Sequence, residues 1–127
     1  MNRNANEKQC YYIEVPPRGM YIKDQKGQPV YAIAGPYDED SDLHLTCVAE
    51  NGLPPPSLLW YLNDNLIDDS FIVHGFQSNN STVVENELII NRIAAKYQDC
   101  ILTCQAINNH YSTLPVSSSL RIDMNRK

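Results

Sequence analysis

No stretch of this 127-residue chain approaches the roughly 20 consecutive apolar residues of a bilayer-spanning helix, so the chain as given holds no such segment. No apolar run follows Met1 either: Asn2-Arg3-Asn4-Ala5-Asn6-Glu7-Lys8-Gln9 is uniformly polar and is not a signal peptide. Clusters of basic residues are missing. Ten Lys and Arg against fifteen Asp and Glu leave a formal charge of −5, which argues against nucleic acid or an anionic membrane surface as partner. Internal repeats, low-complexity tracts and 3.6-residue periodicity are all but absent. No Gly-x-Ser-x-Gly or paired-carboxylate pattern accompanies His44, His74 and His110, which the expected strand layout sets far apart. Nothing therefore points to catalysis, to a small-molecule substrate or to a cofactor.

What is present is a frame of two cysteines around the single tryptophan. Leu43-His44-Leu45-Thr46-Cys47-Val48-Ala49 has apolar or cysteine side chains on every odd position, and Leu102, Cys104 and Ala106 share one face of a second such stretch. Strands send alternate side chains to opposite faces, so Cys47 and Cys104 point inward among apolar companions, with Trp60 between them in sequence. This spacing resembles the inter-sheet disulfide and packed indole of an immunoglobulin domain, and it predicts an all-β sandwich of two antiparallel sheets with Trp60 and Leu102 in the core. Cys100 and Cys104 sit four apart on one strand, about 13 Å between Cα atoms, roughly twice what a disulfide spans. The pairing expected is Cys47 with Cys104, leaving Cys10 and Cys100.

Along the chain, residues 1–12 read as a disordered lead or part of a preceding segment, 13–123 as the domain, and 124–127 as the start of a linker. Val15-Pro16-Pro17 reads as a stiff hinge. Met20–Lys23 opens the first strand, Val30–Ala34 continues it, and Gly35-Pro36 is a turn. Strands follow at Leu43–Glu50, Ser57–Leu62, Phe71–Phe76 and Thr82–Ile90, with a hairpin-type turn at Asn63–Asn65. A helical turn within Asn91–Asp99 tucks Ile93 under the core. Ile101–Asn108 then pairs with Val116–Asp123. A disulfide domain that carries no export signal leads to the expectation of one module of a longer secreted or membrane-anchored protein, on the extracellular side.

Further segments narrow the likeness. Val15-Pro16-Pro17, Gly35-Pro36-Tyr37, Asp42 to Cys47, Gly52-Leu53-Pro54-Pro55-Pro56, Leu102 to Asn109 and Ile122-Asp123-Met124-Asn125 together resemble an internal immunoglobulin domain of the arthropod Sidestep family. That resemblance implies a single-pass cell-surface adhesion or axon-guidance receptor with tandem immunoglobulin domains. It also implies an immunoglobulin-superfamily partner of the Beaten path type, and a module that both recognises protein and spaces its neighbours. A secreted ligand or decoy without an anchor is the alternative. Two positions depart from common patterns. Gln98, Cys100 and Leu102 stand where Asp-x-Gly-x-Tyr is usual, so the tyrosine corner should be missing, and Ala95 stands where the family usually has arginine, unless Arg92 substitutes from a shifted register.

Asn79-Asn80-Ser81-Thr82 contains two overlapping glycosylation sequons, at Asn79 and Asn80, one of which is expected to be modified in a secreted loop. Alternation sends Leu59, Tyr61, Ile101 and Ile107 outward on one sheet. They could form an interface patch, or be scattered or covered by an edge strand. His44 is expected as a solvated surface residue. Asp38-Glu39-Asp40 with Asp42 lacks the register of a calcium loop and reads as a solvated turn, and the cysteine spacing does not suit zinc.

Overall fold

The computed structural model describes residues 19–50, 55–75, 82–107 and 115–126. The expectations for residues 1–18, with Cys10 and the Pro16-Pro17 hinge, and for Asn79, Asn80 and His110 lie outside those ranges.

Among the described residues nine strands make two sheets. The four-stranded sheet runs β1 (Gly19–Asp24), β3 (Leu43–Glu50), β7 (Val83–Ile90), β6 (Ile72–His74), all antiparallel. The five-stranded sheet runs β2 (Ala32–Tyr37), β9 (Val116–Met124), β8 (Ile101–Ile107), β4 (Ser57–Leu62), β5 (Asn65–Asp68), antiparallel except that β2 runs parallel to β9. The core lies where their inner faces meet. Leu43, Leu45, Cys47 and Ala49 of β3 and Val84 and Leu88 of β7 bury against Leu58 and Trp60 of β4, Leu102 and Ala106 of β8, and Leu120 and Ile122 of β9. Fully burying each of the leucine, isoleucine and valine side chains among these contributes about 1.5–3 kcal/mol.

The expected disulfide is present: Cys47 bonds Cys104 with Cα atoms 6.4 Å apart. Trp60 lies directly across from Cys104 on the neighbouring strand, and Asn86 directly across from Cys47. Those four residues occupy the middle of the sandwich, and the indole Nε1 donates across the gap to the Asn86 carbonyl at 2.9 Å. Asn86 Nδ2 donates to the Leu58 carbonyl at 2.9 Å and, more distantly, to that of Asp68 at 3.4 Å. These contacts end beside a bulge where Ile67 is the extra residue between the Trp60–Asp68 and Tyr61–Leu66 pairs. A buried asparagine thus fastens β7 to the edge of the opposite sheet. Nothing in strand alternation alone announces that role.

Two expectations about the first strand are corrected. Residues 32–34 do not continue β1 but cross to the other sheet and pair with β9, and Gly35-Pro36 lies inside β2 rather than in a turn. The chain makes this switch through Ala32 at φ 67° and Gly35 at φ 118°. A Cβ at Gly35 would collide with the Asp123 carbonyl, so the close approach of β2 to β9 requires glycine there. The expected Phe71–Phe76 strand is shorter, with only Ile72–His74 paired, and Phe76 lies outside the described residues. The expected strand order holds nothing between the hairpin turn and that strand. Asn63 and Asp64, both at positive φ, instead turn the chain into β5.

Leu102 is fully buried where a tyrosine corner would place its phenol. Side-chain hydrogen bonds close that end of the sandwich instead. The 3-10 turn Ala95–Tyr97 leads into Gln98, whose Oε1 accepts from the Met124 N–H at 2.6 Å and whose Nε2 donates to Asp99 and Asp123 at 3.0 and 3.1 Å. Asn125 continues the tie, its N–H donating to the Tyr37 carbonyl and its Nδ2 to Asp38 Oδ1. Ile93 is buried beneath the core as expected.

Candidate functional site

Strand register fixes the outer face of the five-stranded sheet row by row. Ile33, Arg121 and Ile101 stand abreast on β2, β9 and β8; next come Ser119, Thr103, Tyr61 and Leu66; then Ser117, Gln105 and Leu59; and last Ile107 beside Ser57. All four residues that alternation had sent outward are on this face. Thr103 and Gln105 sit directly beside Tyr61 and Leu59, so Ile101 and Ile107 meet them diagonally, within reach of long side chains. Thr103 and Ser119 share a hydroxyl–hydroxyl bond at 2.8 Å. Tyr61, Asp64, Thr103 and Gln105 line a shallow hollow of about 220 Å³.

Leu66 and Ile33, half-exposed or more, extend the apolar area at either end and were not anticipated. Leu66 was missed because β5 was missed, although Asn65-Leu66-Ile67-Asp68 directly after an Asn-Asp turn is a strand signal. Ile33 was missed because its segment had been assigned to the other sheet.

Arg121 is the one ionised side chain in those rows. Its Nη1 donates to Asp99 Oδ1 at 2.7 Å, and hydrogen bonds from Arg121 first and Gln98 second hold the Asp99 carboxyl below its ordinary pKa. At the base of the same sheet, burial pushes the Tyr37 phenol up, with nearby Asp24 adding to the shift.

The outer face of the four-stranded sheet is different in kind. His44 is not a freely solvated residue: its side chain is three-quarters buried, Nε2 meets Glu87 at 2.8 Å, and Nδ1 is enclosed with no partner among the described residues. His44 and His74 share this face but stand well apart along it, since His44 lies beside Ile89 of β7 and His74 beside Val83. There His74 meets Glu85 at 3.1 Å, and Lys23 reaches the same carboxylate at 3.4 Å.

The half-buried Cys100 thiol takes a hydrogen bond from Asn63 Nδ2 at 3.4 Å and is the one free cysteine among the described residues. The acidic segment is a turn in which Ser41 binds the Asp38 carbonyl and Asp42 accepts from the Arg92 N–H. Among the described residues no group of three or more His, Cys, Asp or Glu could hold a metal ion, and no helix is long and apolar enough to cross a membrane.

A family model described as the CD80-like C2-set immunoglobulin domain matches residues 28–114. Among curated proteins none matches the chain. Among solved structures, the chain resembles Rst D1-D2 at TM-score 0.65 and 21% identity, covering 88% of this chain and 51% of that one. It resembles the full ectodomain (Ig1-Ig3) of mouse nectin-like molecule 4 at TM-score 0.66 and 17% identity, over 87% and 35%. The N-terminal Ig1-2 module of the Drosophila receptor protein tyrosine phosphatase DLAR matches at TM-score 0.51 and 18% identity, over 87% and 50%. The chain thus spans between about a third and a half of each of these structures.

Proposed function

Because the chain belongs to the family of CD80-like C2-set immunoglobulin domains, we propose that it is an extracellular recognition module that binds a protein partner through the outer face of its five-stranded sheet. The parent protein in this reading is a cell-surface adhesion or guidance receptor, single-pass and anchored. The Sidestep-like segments of the sequence support that reading, and they make the partner an immunoglobulin-superfamily protein of the Beaten path type. A glycan at Asn79 or Asn80, and a spacing role between neighbouring domains, belong to the same proposal.

The observation that carries it is the scarcity of charge in the central rows of that face, with the carboxylates Asp64 and Asp123 at its margins. Interfaces differ from the rest of a protein surface by having few charged residues and many aromatic and apolar ones at their centre. Tyr61, Leu59, Leu66, Ile101, Ile33 and Ile107 among hydroxyls, with one arginine neutralised by Asp99, fit that description. Solubility alone would favour charges there.

The test is Leu59→Asp combined with Tyr61→Asp, assayed for binding to cells displaying Beaten path-type proteins. Binding should weaken at least about thirtyfold, as at an interface hot spot, while the thermal midpoint changes little because both side chains point away from the core. Unchanged binding by a folded variant removes the recognition role and leaves spacing.

A further inference from the structure

The opposite side of the sandwich carries a groove that the recognition face does not use. Its floor is His44 and Thr46 of β3 with Glu85 and Glu87 of β7. The turn Asp24–Gly27 stands along one side and the approach to β6, with Phe71 and Ile72, along the other. The cleft is open and measures about 530 Å³, within the range of clefts that hold small ligands or single side chains.

Its chemistry is uneven. Three carboxylates, those of Asp24, Glu85 and Glu87, face one ammonium, that of Lys23, and with the histidines neutral the lining is negative. Asp24 Oδ1 is committed to the turn, accepting from the N–H groups of Lys26 and Gln28. The partners of the two glutamates are partly exposed Lys23 and His74 on Glu85, and the three-quarters-buried His44 on the more exposed Glu87. Pairs of this kind contribute about 0–1 kcal/mol, so a cation arriving with better geometry exchanges with them readily. Beside the carboxylates stands an apolar wall, made by Ile72, which is 64% exposed, and the half-buried Phe71.

We infer that this groove receives a basic side chain, arginine or lysine, presented by a protein partner. Carboxylates beside an aliphatic and aromatic wall suit a group that is apolar along its stem and cationic at its tip. The methylenes lie along Ile72 and Phe71 while the head reaches Glu85 and Glu87. The chain's charge of −5 steers such a group inward and repels anionic ligands. Because the groove and the recognition face lie on opposite sheets, this site stands or falls independently of the other.

The test follows amide and side-chain NMR signals of the full chain during titration with Nα-acetyl-arginine amide, with the neutral isostere Nα-acetyl-citrulline amide as control. Saturable shifts confined to residues 23–27, 70–72 and 85–87 are expected at about 1–10 mM, the scale for one side chain. Citrulline amide should bind at least about tenfold more weakly, as loss of a charge-assisted pair implies. Glu85→Gln with Glu87→Gln should remove the response, whereas Leu59→Asp with Tyr61→Asp should leave it intact. Equal shifts with citrulline, shifts that spread without saturating, or full binding by the double glutamine variant overturn the inference. Should that variant not fold, Lys23→Gln decides instead: tighter arginine binding supports the site, and no tightening overturns it.

Discussion

Across the central rows of the outer face of the five-stranded sheet, from Ile33 to Leu66, the strands present isoleucine, leucine, tyrosine, hydroxyls and Gln105 with one arginine paired to Asp99, while the carboxylates Asp64 and Asp123 stand at the margins. Across the outer face of the four-stranded sheet, Lys23, His44 and His74 crowd against the carboxylates of Glu85 and Glu87. Both faces arise from the same period-two alternation over the same core, so burial does not account for the difference. Exposed ion pairs add little stability, but they keep a sheet face soluble and unattractive to other sheets. A face without them is a liability unless something binds it. The contrast therefore separates a surface tuned for solvent and charge from one tuned for contact.

Removing the covalent link that holds the two faces back to back should have the largest effect. Cys47→Ala with Cys104→Ala opens a loop of 57 residues, and chain-entropy arguments put the loss at about 4 kcal/mol. Denaturant unfolding followed separately by tryptophan fluorescence and by far-UV dichroism checks it. One coincident transition at lower denaturant is expected. Two separated transitions would mean that the sheets, and hence their faces, are independent units.

Asn86 offers a sharper cut, because it joins the sheets without covalent chemistry. Asn86→Ala leaves the Leu58 and Asp68 carbonyls without their side-chain donor and opens a small cavity, while also removing an Oδ1 that has no partner among the described residues. The net loss should be about 2 kcal/mol. It should be accompanied by faster amide exchange at 66–70, where β5 carries Leu66 into the recognition face. Protection at 66–70 that is unchanged would show that β5, and that end of the face, is held by β4 alone.

Much of this arrangement was legible from residue order. The cysteine–tryptophan frame announces itself because inward parity, strand spacing and the single indole agree at three separate positions, and Ile93 because it is the one apolar anchor between β7 and β8 with a turn after it. Asn86 was not legible: an asparagine at inward parity between Val84 and Leu88 reads as a lapse in the pattern until the bulge it serves is seen. The crossing of residues 32–37 to the other sheet was hidden because it depends on backbone at positive φ and on contact with β9, 88 positions away from Ala32 at Leu120, rather than on local preference. The functional contrast was half visible. Alternation supplied Leu59, Tyr61, Ile101 and Ile107, but it could not show that Arg121 lies beside Ile101 or that Asp99 cancels its charge, since both depend on register.

That cancellation yields the smallest effect and the most direct check on the charge-poor face. The hydrogen bonds from Arg121 and Gln98 favour the ionised Asp99, so its carboxyl titrates below the ordinary value. Proton uptake is then easier in the unfolded chain. The small stabilisation is present above the ordinary carboxylate pKa and is lost as pH falls through the depressed folded value. Over that same fall the face acquires an uncompensated positive charge on Arg121. A carboxyl-carbon NMR titration of Asp99 should give a midpoint that rises in Arg121→Met, since that variant removes both the donor and the charge. A midpoint at the ordinary value in the unaltered chain, unmoved by Arg121→Met, would mean that the pair does not hold in solution. The recognition face would then carry a free cation, and its contrast with the ion-paired face opposite would narrow.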